Sequence, residues 1–463
     1  MTLRSNSAAA RDVAHHLHPF TNAARHEADG PLVMSGGHGV HVRDSQGRDY
    51  IEGMSGLWCT SLGYNEPRLV RAATKQLETL PFYHNFSHMA ADVTIELADR
   101  LVALAPVPMS KAFFTNSGSE ANDTVVKLVW YLNNALGRPK KKKIISQLKG
   151  YHGSTVAAAS LSGLPNSQRD FDLPIANILH SGCPHHYRFG APGESEEAFA
   201  TRMAEALDAL IEREGPDTVA AFIAEPVQGS GGVIVPPRTY FEKVQAVLRR
   251  HDVLFIADEV ITGFCRTGNL WGSQTFQLTP DIMTMAKALS SAYLPIGAVL
   301  INQKVYDAVR DNSGKIGVFG HGFTYSGHPV SAAVALEALA IYEERDILGH
   351  VRRVGPLLQQ GLRRLADHPL VGEVRGVGLM GALELVRDRA TRQSFDPAHA
   401  VGPQAVRFAR QHGLIVRTLG DSVAFSPPLI IDEAEIAELL ARFGRALDDT
   451  LAWVRNEGIG LAA

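Results

Sequence analysis

The 463-residue sequence predicts an α/β fold: a large domain with a mostly parallel central sheet covered by helices, and a smaller α+β domain built from both termini. Three observations lead there. Short, nearly continuous apolar runs alternate with helical patterns from about Leu69 to Ala340, as in Lys111-Ala112-Phe113-Phe114, Val219-Ala220-Ala221-Phe222-Ile223-Ala224, Val253-Leu254-Phe255-Ile256-Ala257 and Ile296-Gly297-Ala298-Val299-Leu300-Ile301. Strands that are apolar on both faces and separated by helices belong in a sheet covered on both sides. Residues 31–58 read instead as short strands and turns, and beyond about Ile341 the pattern becomes helix, strand, helix, strand, helix. The expected boundaries are 1–68 for the N-terminal segment of the small domain, 69–340 for the large domain and 341–463 for the C-terminal part of the small one.

In order along the chain, Gly36-Gly37 and Asp44-Ser45-Gln46-Gly47 are turn clusters between the apolar runs Val40-His41-Val42 and Tyr50-Ile51. The lysine run Lys140 to Lys143 reads as a solvated loop ahead of the strand Ile144-Ile145-Ser146. In the C-terminal part the expected elements are a strand over 379–385, a strand at Leu414-Ile415-Val416 and a closing helix over about 433–453. No repeat at a solenoid or propeller period occurs.

Composition excludes several classes of function. The hydrophobic fraction is 45% and the charged fraction 20%, ordinary values for a globular chain. Lys+Arg 45 against Asp+Glu 48 leaves no basic excess to neutralise a phosphate backbone, so nucleic acid is not expected as a partner. Three cysteines at wide spacings, Cys59, Cys183 and Cys265, build neither a disulfide framework nor a four-ligand zinc pattern and suit a reducing compartment. The first twenty residues lack an apolar signal region, and no apolar run reaches the roughly 20 residues a membrane helix needs; the expectation is a cytoplasmic protein with no membrane partner.

Ligands of α/β sheets sit beyond the carboxyl ends of the strands, so the polar residues that follow apolar runs are the chemical candidates. Glu225-Pro226 follows one run, Asp258-Glu259 another, and Thr115-Asn116-Ser117-Gly118-Ser119-Glu120 a third; Lys287 precedes the run at Ile296. Ser117 and Glu120 have the spacing of a capping box, so this segment reads either as a helix cap or as a phosphate cradle of exposed backbone N–H groups at a helix N-terminus. Asp258 alone reads equally as a loop-capping acid. A buried acid at a strand end, a lysine about thirty residues later and an upstream phosphate cradle are, together, the parts that pyridoxal phosphate needs: an acid for the pyridinium nitrogen, an amine for the Schiff base and donors for the phosphate.

Five ordered motifs carry a resemblance. Phe114-Thr115-Asn116-Ser117-Gly118-Ser119-Glu120-Ala121-Asn122, Gly150-Tyr151-His152-Gly153, Glu225-Pro226-Val227-Gln228-Gly229, Asp258-Glu259-Val260-Ile261-Thr262-Gly263 and Thr324-Tyr325-Ser326-Gly327-His328-Pro329 together resemble the class III pyridoxal-phosphate aminotransferases, over nearly the whole chain. His18-Pro19-Phe20, Gly56-Leu57-Trp58-Cys59 and Leu80-Pro81-Phe82-Tyr83 resemble the ω-amine:pyruvate branch. The resemblance implies a fold-type I enzyme, a homodimer with shared active sites or two such dimers paired into a tetramer, an amine donor and a keto-acid acceptor. It also implies roles for single residues. Lys287 would be the Schiff-base lysine and proton shuttle, and Asp258 would hold the ring nitrogen protonated. Val260 and Tyr151 would cover the two ring faces, with His152 beside them. Ser117, Gly118 and Ser119 would bind the phosphate, and Thr324 would complete that site from a second subunit. Glu225 would lie beside the ring hydroxyl and a mobile arginine, and Arg417 would bind the substrate carboxylate. Trp58, Phe86 and Tyr151 would line the substrate pocket.

The sequence departs from that pattern at Lys287-Ala288, where many relatives read Lys-Gly, at Gly263-Phe264-Cys265-Arg266, where they read Gly-Phe-Gly-Arg, and at Ser87, where an aromatic is usual. Ser146-Gln147-Leu148-Lys149 fits S-x-x-K without its companion motifs, and His26-Glu27 lacks the second histidine of a zinc-protease helix at Gly30. His15, His16 and His18 crowd together but read as a solvated segment, so no metal is expected. Two other functions remain compatible with the residues: a different reaction on the same cofactor, such as an amino-mutase, racemase or decarboxylase, and a non-catalytic cofactor-binding regulator.

Overall fold

Two short helices, Ala8–His15 and Ala23–Asp29, precede the strands β1 (Met34–His38), β2 (His41–Asp44) and β3 (Asp49–Glu52) in the computed structural model, which describes residues 6–461. The outermost residues of the expected domain ranges, 1–5 and 462–463, lie outside the described residues. The main sheet uses β4 (Lys111–Thr115), β5 (Lys143–Gln147), β6 (Ile178–Ser181), β7 (Val219–Ala224), β8 (Leu254–Asp258), β9 (Ile282–Met285) and β10 (Gly297–Ile301) in the order β4-β10-β9-β8-β7-β5-β6. The C-terminal part adds β11 (Val371–Val377), β12 (Met380–Leu385), β13 (Leu414–Ile415), β14 (Arg417–Leu419) and β15 (Ser422–Phe425).

The period of two along the main strands explains the layers. In β7, Ala221 and Ile223 face one side and pack with Val125, Leu128 and Val129 of the helix Gly118–Ala135, while Phe222 and Ala224 face the other and pack with residues of the helices Glu196–Glu214 and Tyr240–Arg250. The sheet is therefore covered on both faces, as the apolar runs predict. Its one reversed strand is β10, antiparallel to both β4 and β9. A parallel return needs a crossover of about a dozen residues or more, usually a helix; the β9–β10 connection holds just the short turn Lys287–Leu289, so β10 comes back antiparallel.

Chain segments far apart in sequence close the rest. β13 pairs in parallel with β3, joining the first strands to the last third of the chain in a sheet ordered β1-β2-β3-β13, and β11-β12-β15-β14 form a separate sheet.

Two readings of the sequence are corrected. The lysine run is not a solvated loop: Lys140 alone is fully exposed, while the Lys141 ammonium donates to the carbonyls of Pro216 and His251, Lys142 to that of Trp130, and Lys143 to that of Glu214. Glu214 and His251 stand at helix C-termini, where unpaired carbonyls attract cations, whereas Trp130 lies more than a turn inside its helix and shares its carbonyl with Lys142. The loop that Thr418-Leu419-Gly420-Asp421 suggest after Arg417 is shorter than its sequence implies: Arg417–Leu419 form β14, and only Gly420, at φ +66°, and Asp421 make the two-residue turn that lets it pair with β15. No helix among the described residues is long and apolar enough to cross a membrane.

Candidate active site

β4, β7, β8 and β9 run parallel, so the segments leaving their carboxyl ends meet at one edge of the sheet. A cavity of about 130 Å³ opens there, and Gly118, Ser119, Tyr151, His152, Glu225, Asp258, Val260 and Lys287 all line it. Asn122, Gly153, Ile261 and Ala286 line it as well, although the sequence assigns them no role.

Asp258 ends β8 and is 2% exposed. Its Oδ2 accepts from Asn122 Nδ2 at 2.8 Å and from His152 Nδ1 at 2.8 Å, and its Oδ1 accepts from the Val260 N–H at 3.1 Å. Three N–H donors thus converge on one buried carboxylate and fix its orientation. Asn122 also donates to the His152 carbonyl at 2.6 Å and so ties the tyrosine-histidine loop to β8. Its position in the Ser117-to-Asn122 motif, one helical turn inside, is the signal that could have revealed this role.

Lys287 follows β9 and has φ 49°, in the left-handed region. That conformation costs a non-glycine residue roughly 1–3 kcal/mol, which the neighbouring packing must offset. Burial pushes the ammonium below its usual range, partly opposed by the charges of Cys59, Glu225 and Asp258. Glu225, fully enclosed, is pushed up to about 7, chiefly by burial. Its carboxylate accepts from the backbone N–H groups of Tyr151 at 2.8 Å and Gly229 at 2.9 Å, and no ion pair joins it to Arg417.

At the opposite end of the cavity the helix Gly118–Ala135 begins. A Cβ on Gly118 would stand 3.1 Å from both methyls of Val260, and one on Gly153 would stand 2.6 Å from Ser119 Oγ. Glycine thus keeps the backbone N–H groups of this helix N-terminus accessible to an anion. Ser117 stands one step back from the cavity: its hydroxyl is the N-cap and accepts from the Glu120 N–H at 3.1 Å. The expected capping box is only half formed, because Glu120 reaches past Ser117 to the N–H of Asn116, 2.7 Å away.

The remaining expected residues divide into near and far. Arg417 opens β14, and burial pushes its guanidinium below its usual range. It is close enough to lower the Tyr151 phenol, which burial raises, and to lower the Lys287 ammonium. Trp58 lies behind the cavity wall in a buried cluster with Met54, Val227 and Ile261. Phe86 and Thr324, however, do not line the cavity: Phe86 is 45% exposed, Thr324 is exposed, and the ring of Phe86 lies against Gly322. Within one chain the pocket therefore lacks both residues, because the segments 82–89 and 317–328 stand on a different part of the surface.

The donor set fits pyridoxal phosphate. Lys287 offers a buried amine, Asp258 a buried carboxylate that meets no lysine or arginine, and the helix at Gly118 an anion site. Two buried polar atoms beside them, Asn122 Oδ1 and His152 Nε2, have no partner among the described residues, so the polar groups of the cavity are not closed among themselves.

Fold and site together define a pyridoxal-phosphate enzyme of fold type I. The chain belongs to the class III aminotransferases: the family model for aminotransferase class-III matches residues 22–447. Gamma aminobutyrate transaminase 1, mitochondrial, of Solanum lycopersicum is 52% identical over 435 residues, 94% of this chain and 84% of that protein. The omega transaminase from Pseudomonas jessenii, solved in complex with PMP, is 57% identical with a TM-score of 0.96 over 97% of this chain and 99% of that one. A thermostable omega transaminase variant W58M/F86L/R417L, engineered for asymmetric synthesis of enantiopure bulky amines, is 56% identical with a TM-score of 0.96 over 97% of this chain and 100% of that one.

Proposed function

We propose that this aminotransferase moves an amino group from a primary amine or an ω-amino acid, γ-aminobutyrate among them, to pyruvate. The observation that carries the reading is Arg417, a partly buried cation beside Tyr151 that forms no ion pair among the described residues. A guanidinium in that position is free to meet a substrate carboxylate. The names of the curated relatives support an ω-amino-acid donor, and the variant W58M/F86L/R417L was altered at residue types and numbers that this chain also carries.

Pyridoxal phosphate supplies an aldehyde that condenses with amines and a ring that accepts the electron pair of a broken C–H bond. The chain does the rest. Asp258, oriented by Asn122, His152 and Val260, would face the ring nitrogen and hold a proton on it. Lys287, whose ammonium is weakened by burial, gives up its proton readily and can carry one between the donor carbon and the cofactor. The N–H groups at Gly118 and Ser119 would hold the phosphate, and Tyr151 and Val260, which line the same cavity, would confine the ring. One pocket serves donor and acceptor in turn, which gives ping-pong kinetics.

Two copies of the chain form the working unit in this reading. Phe82, Tyr83, Phe86, Met89, Val318 and Tyr325 are exposed apolar residues around Thr324, and a second copy would cover them and receive Phe86 and Thr324 into its site. Three free cysteines support a reducing, cytoplasmic location. A donor panel of γ-aminobutyrate, β-alanine, a diamine and an aryl-alkyl amine against pyruvate tests the proposal. One alanine per donor consumed is expected; donor loss without alanine would point to a racemase, mutase or decarboxylase.

A further inference from the structure

The N-terminal helices bring together side chains that the transamination does not use. Asp12 lies in the helix Ala8–His15; its Oδ1 is 2.9 Å from His16 Nδ1, and its Oδ2 is 2.8 Å from His18 Nε2 and 3.0 Å from His26 Nε2 in the next helix. The imidazole rings are tilted against one another, with centroids 4.2 Å apart from His16 to His18 and again from His18 to His26. The ligating atoms of Asp12, His16 and His18 all lie within 4.8 Å of one another. His15 and His16 are exposed, as the sequence suggests, but His18 is 27%, Asp12 20% and His26 11% exposed at the side chain.

We propose that Asp12, His16, His18 and His26 form a binding site for a divalent transition-metal ion of the zinc type, which clamps the two N-terminal helices together. Neutral imidazole nitrogens and a carboxylate oxygen are the ligands such ions take, in a tetrahedron with bonds of about 2.0–2.2 Å. The edges of that tetrahedron are about 3.3 Å, so donors now 2.8–3.0 Å from the carboxylate oxygens need to separate by a few tenths of an ångström. Exchange of the bridging protons for the ion accomplishes that. No lysine or arginine among the described residues pairs with Asp12, so the site holds no competing cation.

A second histidine–carboxylate cluster shows the contrast. His185, Glu373 and Glu384 also converge, but Arg375 stands 2.6 Å from Glu373 and 2.8 Å from Glu384, and Arg188 pairs with Glu384 at 2.7 Å. Those carboxylates are already neutralised, and a dication would have to displace both arginines.

The clamp would also act on the active site. The ligands bracket the loop 16–22, and Phe20 at its tip meets the ring of Tyr151 edge-on at a centroid distance of 6.3 Å. Tyr151 lines the cofactor cavity.

The test uses the cofactor-loaded enzyme, freed of metal with a chelator and titrated calorimetrically with Zn²⁺, then with Co²⁺ as a spectroscopic probe. One equivalent per chain should bind, Co²⁺ should give the visible bands of a four-coordinate site, and Zn²⁺ should raise the melting temperature. Asp12→Asn and His18→Ala should each weaken binding by at least about 100-fold, since even the loss of a residue that merely orients a ligand costs 10–100-fold. His15→Ala, whose side chain is not in the cluster, is the control and should bind as wild type. Full cofactor content in each variant shows that it is folded. Stoichiometric binding lost in the two variants supports the proposal; equal affinity in all proteins, or no stoichiometric binding by the wild type, overturns it.

Discussion

Asp258 meets no lysine or arginine, yet it is 2% exposed and ends a central strand. Three N–H groups orient its carboxylate, and a carboxylate is what a pyridinium needs as its partner. Asp258→Asn would offer one oxygen and an amide in place of two oxygens, so at least one of these donors would face an N–H₂ group. The variant is expected to keep its cofactor, seen in the visible spectrum, while kcat falls by about 10²–10³, the usual cost of losing one preorganised electrostatic partner. Near-normal turnover would mean that another acid serves the ring nitrogen. At this scale the sequence was informative where chemistry demands one residue type after a strand, as at Asp258, Glu225 and Lys287. It left Asn122 without a role, because its place in the Ser117-to-Asn122 motif does not name its partners until the strand beside that helix is placed.

Elements that end in charge explain what the sequence did not disclose. Lys141, Lys142 and Lys143 are a charge run in sequence, but in space they donate to carbonyls of three helices and of the turns that follow them, and only the placement of those helices tells the two apart. Arg375 in β11 does comparable work between layers: it donates to the Gly232 carbonyl at 2.9 Å and 2.6 Å while neutralising Glu373 and Glu384. Its side chain is 7% exposed and that of Glu384 is 8% exposed. Arg375→Ala would strand a buried carboxylate and is expected to cost about 3–5 kcal/mol in urea unfolding. A loss below about 1 kcal/mol would show that water reaches the carboxylates. The reversal of β10 and the β14–β15 hairpin escaped the sequence for a related reason: apolar runs mark strands but carry no direction, and a short connection decides it.

The whole molecule assembles its site from segments that are distant in the chain, and this has a consequence for pH. Glu225 stands at about 7 in the folded protein against an ordinary value of 4.5, because burial penalises its charge. The native state therefore binds more protons than the unfolded chain between those values, and the contribution of Glu225 to stability is present below pH 4.5 and lost as the pH rises through 7. Glu384 acts in the opposite sense: held at about 2, chiefly against the cost of burial, by Arg375, Ser422 and Arg188, it contributes above pH 4.5 and stops doing so as the pH falls toward 2. In the cofactor-free protein, the stability difference between wild type and Glu225→Gln should shift by up to about 3 kcal/mol against the wild type from pH 4.5 to above 7. A difference that does not vary with pH would show that Glu225 is ionised throughout. The broad architecture was legible because alternating runs and helices over most of the chain agree with one another. The placement of Phe86 and Thr324 away from the cavity was not, since residues that serve a second copy look the same in sequence as residues that serve their own chain.

The central claim is that one pocket accepts pyruvate through Arg417 and then accepts an amine with no carboxylate. A fixed, buried arginine would be left unpaired by such an amine, at roughly 3–5 kcal/mol, whereas Arg417, on the short strand β14 beside the Gly420 turn, is only partly buried and forms no ion pair among the described residues. Single-turnover absorbance of the cofactor's visible band separates the two halves: an aryl-alkyl amine bleaches it, and pyruvate restores it. In Arg417→Ala the KM for pyruvate should rise by at least about 10-fold, the loss of a charge-assisted hydrogen bond of about 1.5–3 kcal/mol, while bleaching by the amine changes far less. Equal damage to both halves, or to neither, would contradict the assignment of Arg417 as the carboxylate reader.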